Sequence, residues 1–193
     1  MKLCGVFVCN ILSDLFNFCV QFGTYPEKFK IADVVPVYKK GSRDELCNHR
    51  PISTLPNLTK ISEKLICTRL SSFFKQNELL SDNQFGFREG RNTELALLKL
   101  IGKIIPYLDA KLHVICVYLD FSSCFDTVPR NELISKLYRY GVRGRSLDFI
   151  KSYFTERKQR VHFGGEVSEV LPHELGVVQG SRGGAIILRH LLE

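Results

Sequence analysis

The chain has no cysteine pair at C-x-x-C spacing, no apolar run long enough to span a bilayer, no internal repeat and no low-complexity stretch. Each absence removes a class of protein. The seven cysteines, at positions 4, 9, 19, 47, 67, 116 and 124, are odd in number, and most sit inside apolar runs. Cysteines in that setting behave as small hydrophobes, so neither a disulfide partner nor a zinc site is expected, and the protein reads as reduced and intracellular. A spanning helix needs about 20 consecutive apolar residues, so no membrane segment is expected. Met1 to Cys9 looks like the start of a signal peptide, but Asn10 and Asp14 interrupt it and no small-residue cleavage site follows, so it reads as a helix. Solenoids and linker-joined modules drop out for want of a repeat or a clean linker.

What is present is the composition of a globular protein. Of 193 residues, 45% are hydrophobic and 24% charged, enough for one sizeable core or two small ones. Lys and Arg total 27 against 20 Asp and Glu, a formal net charge of +7. That excess suits a polyanionic partner.

Residues 3–22 carry Leu12, Leu15, Phe16, Cys19 and Val20 at helical spacing, and Gly23 with Tyr25-Pro26 ends the helix. Ile31 to Tyr38 holds Val34, Val35 and Val37 around Pro36, the pattern of a short or edge strand. A basic turn follows, Lys39-Lys40-Gly41-Ser42-Arg43-Asp44, and the chain returns through Asn48 to Ser53. Two strands about a Lys/Gly tip make a protruding hairpin, whose cations either grip phosphates or sit in solvent. A helix is predicted over 58–76, with Leu58, Ile61, Leu65, Leu70 and Phe73 on one face. Gln84 to Arg91 is an aromatic, glycine-interrupted loop. Its Arg88 and Arg91 suit nucleic-acid contact, and the same residues suit a loop anchored to the core. Thr93 to Ile105 is amphipathic, capped by Asn92 or Thr93 and stopped by Pro106. Helices are predicted over 131–140, ended by Gly141, and over 146–154; Arg157 to Val167 has the form of a hairpin turning at Gly164-Gly165.

The organising stretch is Val114 to Asp126. Residues 113–119 are β-branched and apolar and read as a strand buried on both faces, ending in Asp120. A carboxylate at the tip of a buried strand must be solvated, paired or bound to a cation. Asp120 is therefore either a metal ligand or the cap of a helix starting near Ser122.

Several blocks together resemble one family. Asp120-Phe121-Ser122-Ser123-Cys124-Phe125-Asp126-Thr127-Val128 resembles the first catalytic-aspartate motif of reverse transcriptases, above all those of LINE-type, non-LTR retrotransposons, the jockey-like ones among them. Val35 to Gly41 and Asn48 to Ser53 (NHRPIS) resemble the fingers motifs, Gln84 to Arg88 (QFGFR) the next block, and Gly176 to Ser181 (GVVQGS) the palm motif. The blocks keep the family's order and approximate spacing from about residue 25 to the end.

The resemblance implies an α/β (α+β) right-hand polymerase with a mixed sheet flanked by helices. Residues of about 25–110 would be fingers-like, and about 111–193 an incomplete palm. It implies RNA-directed DNA synthesis from an RNA template and DNA primer with deoxynucleoside triphosphates, in the nucleus if the chain acts as the family does. Two Mg²⁺ ions would be held by carboxylates, because magnesium prefers hard oxygen ligands. Asp120 would be the catalytic carboxylate and metal ligand, joined by the carbonyl of Phe121. Lys39 or Lys40 with Arg50 would hold the triphosphate, Phe125 would sit under the incoming sugar, and Gln179, Gly180 and Ser181 would form a turn beside the nascent base pair. Asp126 would be structural.

The departures are specific. Two-metal catalysis needs further carboxylates, which the family supplies from an aromatic-x-Asp-Asp hairpin; no two aspartates are adjacent anywhere in this sequence. Val178, Arg182, Gly183 and Ala185 depart from the palm block, and Ser123-Cys124 replaces the usual Lys-Ala. The expectation is a truncated or decayed element copy or a partial gene model, unable to polymerise alone and poorly soluble. The other class of reading is a non-catalytic basic nucleic-acid-binding relic.

Overall fold

The computed structural model describes residues 5–86, 88–120 and 124–178, with the backbone alone at 6, 7, 124 and 125. The first helix, α1 (Gly5–Phe22), buries Phe16 and Cys19 and ends at Gly23. Gly23 has φ +64°; the Thr24 N–H reaches back to the Cys19 carbonyl and the Gly23 N–H to Val20, which satisfies two terminal carbonyls. A 3₁₀ turn at Glu27–Phe29 leads into β1 (Ile31–Tyr38), which pairs antiparallel with β2 (His49–Thr54). This is the hairpin expected from the sequence. Next come α2 (Asn57–Gln76) and α3 (Thr93–Asp109), the latter capped by the Asn92 side chain accepting from the Leu95 N–H at 2.8 Å.

Pro106 does not stop α3. The helix runs to Asp109, where Lys111 takes φ +58° and the Leu112 and Lys111 N–H groups reach back to the Tyr107 and Leu108 carbonyls. A proline in a last turn loses one backbone donor; this capping motif supplies the real end.

The larger correction concerns 113–119. No strand forms there, and the segment is open to solvent: Ile115 is 89% exposed and Leu119 88%. A strand buried on both faces needs ladder partners and covering layers, and none of the described strands pairs with it. The apolar composition expresses β-propensity, which without pairing fixes nothing.

A short helix, α4 (Cys124–Thr127), precedes α5 (Arg130–Arg139) and α6 (Gly144–Phe154). The chain finishes its described part with β3 (Lys158–Phe163), β4 (Glu166–Val167) and β5 (Leu171–Pro172). The sheet is mixed, in the order β2-β1-β3-β4, with β5 also against β3; β1 and β3 run parallel and the other pairs antiparallel. The main core is built by Leu70 and Phe74 of α2, Leu133 and Leu137 of α5, and Leu147, Ile150 and Phe154 of α6. Ala32 and Val34 cover one face of the sheet, with Ala32 packing on Leu55 and Val178. Among the described residues, no helix is long and apolar enough to cross a membrane, and Cys9, Cys19, Cys47, Cys67 and Cys116 form no disulfide.

Candidate nucleotide and nucleic-acid interface

The hairpin tip is ordered by its own side chains. The Lys39 N–H donates to the Asn48 carbonyl at 2.8 Å, and Asn48 Nδ2 donates to the Ser42 carbonyl and to Glu45 at 2.9 and 2.8 Å. The Tyr38 hydroxyl donates to the Gly41 carbonyl at 2.6 Å, and the Arg43 guanidinium lies 5.1 Å over the Tyr38 ring. Gly41 (φ +88°) is required: a Cβ there would fall 2.5 Å from Asn48 Nδ2. On this frame Lys39, Lys40 and Arg50 are all exposed, and among the described residues none of the three enters an ion pair.

Arg88 and Arg91 are placed differently. Arg88 Nη1 donates to the Ser81 carbonyl at 2.7 Å, and Arg91 donates to the Asp82 carbonyl and carboxylate at 3.2 and 3.1 Å. Lys99 of α3 reaches the Asp82 carbonyl as well, and both Arg91 and Lys99 lie over the Phe85 ring, at 5.2 and 5.7 Å. The loop is thus stapled to α3. Asp82, the hub of the staple, had no signal in the sequence.

Asp120 is exposed at the end of the open 112–120 segment. Phe121 lies outside the described residues, as do Gln179, Gly180 and Ser181; Phe125 belongs to α4, and its side chain lies outside them too. A magnesium pair needs several hard oxygen donors converging. Among the described residues no three His, Cys, Asp or Glu side chains come together, so the donors described do not assemble a metal site around Asp120.

The stretches after Asp120 and before Gln179 are nonetheless joined. The Gly176 N–H donates to the Val128 carbonyl at 3.0 Å. Arg130 donates from Nε to the Gly176 carbonyl and from Nη1 to the Phe154 carbonyl, both at 2.8 Å, and from Nη2 to the Leu175 carbonyl at 3.3 Å. Its Nη2 also stands 2.7 Å from His173 Nδ1. Burial, and then the neighbouring Arg157, draw the Arg130 guanidinium down to about 10, still charged at neutral pH. Burial, then Arg130 and Arg157, hold His173 down at about 4. His173 is therefore neutral and its Nδ1 accepts from Arg130.

A third cluster bridges β1 and β3. Asp33 accepts from Arg160 Nε at 2.5 Å and from His162 Nε2 at 3.2 Å. The Arg160 hydrogen bond, then that of His162, keeps the Asp33 carboxyl below the usual aspartate range. Sequence reading missed this group, because the parallel pairing that brings it together is non-local.

Comparison with known proteins agrees with the blocks. The family described as reverse transcriptase (RNA-dependent DNA polymerase) matches residues 37–193. The chain is 31% identical over 183 residues to the probable RNA-directed DNA polymerase from transposon BS of Drosophila melanogaster, covering 91% of this chain and 19% of that protein. It is 30% identical over 173 residues to the RNA-directed DNA polymerase from mobile element jockey of the same fly, covering 89% and 19%. Over 173 residues it is 30% identical to the retrovirus-related Pol polyprotein from type-1 retrotransposable element R1 of Bradysia coprophila, covering 88% and 16%. The chain thus spans about a fifth or less of the length of these relatives. With a mixed sheet flanked by helices and the motif blocks in order, the chain belongs to the reverse transcriptase, or RNA-dependent DNA polymerase, family of LINE-type elements.

Proposed function

We propose that this chain is the fingers and part of the palm of an RNA-directed DNA polymerase, and that it grips template, primer and deoxynucleoside triphosphate through the β1–β2 hairpin. The observation that carries this is the ordered tip, which presents Lys39, Lys40 and Arg50 to solvent with no ion-pair partner among the described residues. Arg50 offers a planar fork to phosphate oxygens, and the two lysines offer mobile point charges. In the complete enzyme Asp120 is one carboxylate of a divalent-metal site, Phe125 meets the incoming sugar, and Gln179 to Ser181 lie beside the new base pair. On this reading the protein works in the nucleus.

The test is binding of a labelled primer–template across a salt series. Replacing Lys39, Lys40 and Arg50 by alanine is expected to flatten the dependence of log affinity on log salt by about 2.7, as three lost phosphate contacts require. An unchanged slope overturns the grip.

A second reading is a non-catalytic nucleic-acid binder. It is favoured by Asp120, around which no group of three metal-ligating side chains gathers among the described residues. Both readings share the grip; primer extension separates them. The purified chain with Mg²⁺ is expected to extend no primer. Extension that disappears in Asp120→Asn would establish the catalytic reading for this chain.

A further inference from the structure

The loop between β1 and β2 carries a hydroxyl that the grip does not use. Ser42 lies in the exposed stretch 39–47. Its Oγ accepts from the Asp44 N–H at 3.3 Å and, among the described residues, donates to nothing. Around it the backbone is lightly held. Among the described residues no backbone–backbone hydrogen bond involves residues 40–44. Two side chains keep the segment in place, Tyr38 reaching the Gly41 carbonyl and Asn48 reaching the Ser42 carbonyl. Opening it breaks those exposed bonds and no ladder. A segment of this kind can be drawn out into an extended strand on another protein's surface.

Charge indicates the partner. Lys39 and Lys40 stand three and two positions ahead of Ser42. A protein kinase with an acidic groove selects serines by cations at those places, through attraction of opposite charges across the groove. Three other serines follow an arginine by three positions: Ser53 after Arg50, Ser72 after Arg69 and Ser146 after Arg143. They sit in β2, α2 and α6, whose backbone bonds must break before the chain can be drawn out. Of the four, Ser42 is the one outside a regular element. The loop also suits the product. Three cations, Lys39, Lys40 and Arg43, against two carboxylates, Asp44 and Glu45, leave the 39–48 loop at a net +1. A phosphate of about −2 reverses that sign and gives the lysines an anionic partner within the loop.

We propose that Ser42 is a phosphorylation site for a serine/threonine protein kinase that reads basic residues ahead of its target, and that the phosphate switches off the hairpin tip as a grip. In the transfer the Ser42 Oγ forms a bond to the γ-phosphorus of ATP. The bond from that phosphorus to the β–γ bridging oxygen breaks, ADP leaves, and the hydroxyl proton passes to the kinase's catalytic aspartate. The site stands on the loop alone. The switch rests on the hairpin grip proposed above, because Lys39 and Lys40 then face a fixed phosphate in place of a nucleotide or strand.

The experiment incubates the full chain with Mg²⁺-ATP and the catalytic subunit of cyclic-AMP-dependent protein kinase, then counts and places phosphate by mass spectrometry. About one phosphate per chain is expected, on Ser42, and none in Ser42→Ala. The modified chain is expected to bind labelled primer–template at least about fivefold more weakly than the unmodified chain at low salt, and phosphatase treatment to restore the binding. No phosphate on Ser42, or phosphate on Ser53, Ser72 or Ser146 in its place, overturns the site and leaves the grip to its own salt series. Phosphate on Ser42 with unchanged binding, where the unmodified chain binds in a salt-dependent way, overturns the switch. If the unmodified chain does not bind primer–template at all, the grip fails and the switch fails with it.

Discussion

Arg130 is the side chain on which most of the backbone converges, reaching the carbonyls of Phe154, Leu175 and Gly176 and the ring of His173. Replacing it by methionine leaves those carbonyls without their donor and is expected to cost about 3 kcal/mol. The measurement is the urea midpoint, followed by the change in slope. His173 gives the same cluster a pH response. Its pKa lies near 4 in the folded chain and at the ordinary histidine value of 6.5 when unfolded, so the folded state disfavours its protonation. The stability it contributes is fully present above pH 6.5 and is lost as the pH falls toward 4, on the order of 2 kcal/mol after allowing for partial solvation. His173→Gln, which keeps an acceptor for Arg130 but does not titrate, is expected to flatten stability over that window. Neither residue was legible in the sequence. Arg130 meets partners 24 to 46 positions away, and nothing in a lone arginine announces them. Lys39, Lys40, Arg50 and Asp120 could be proposed from the sequence because each stands inside a block that resembles a family motif.

Helix ends show where local signals suffice. Gly23 and Gly141 end α1 and α5 with positive φ, as their glycines announce. The ends of α2 and α3 use the same hydrogen-bond pattern with Glu78 at φ +53° and Lys111 at φ +58°, residue types that carry no such signal. The two kinds of position should respond with opposite signs. Gly23→Ala puts a Cβ 2.8 Å from Asp148 Cβ on α6 and strains the backbone, so it is expected to destabilise by about 2 kcal/mol. Glu78→Gly relieves a left-handed non-glycine residue and is expected to stabilise by up to about 1 kcal/mol. Thermal melts of both variants check the pair. The segment 113–119 shows the opposite failure. Its run of β-branched and apolar residues has the composition of a strand buried on both faces, but a strand is made by partners, and composition does not say whether they are there.

On the scale of the molecule, that segment and α3 together leave a broad apolar surface: Leu97, Leu98, Leu108, Leu112, Ile115, Val117 and Leu119 are all more than half exposed. Soluble monomers seldom leave so much in contact with water. The chain is expected to bind 8-anilinonaphthalene sulfonate without denaturant and to aggregate at modest concentration. Leu98→Glu with Ile115→Lys should dim the dye and raise solubility, and a bright dye signal unchanged by both substitutions would place the binding surface elsewhere. The class of fold was legible as a mixed sheet with helices, since five motif blocks and five helical periods agreed. The sheet order was not, because β1 finds β3 across the whole body of the chain.

That last pairing has a consequence during synthesis. Asp33 and Arg160, which join the two parallel strands, are 127 residues apart. At the usual elongation rate of about 5–20 residues per second, β1 and β2 leave the ribosome roughly ten seconds before β3 exists. For that interval both edges of the hairpin are free, the β1 edge as well as that of β2, and the apolar Ala32–Val34 face is uncovered, with its cationic tip already formed. The nascent chain is therefore most vulnerable to edge-on association, and most accessible to RNA close at hand, while it is still attached to the message that encodes it.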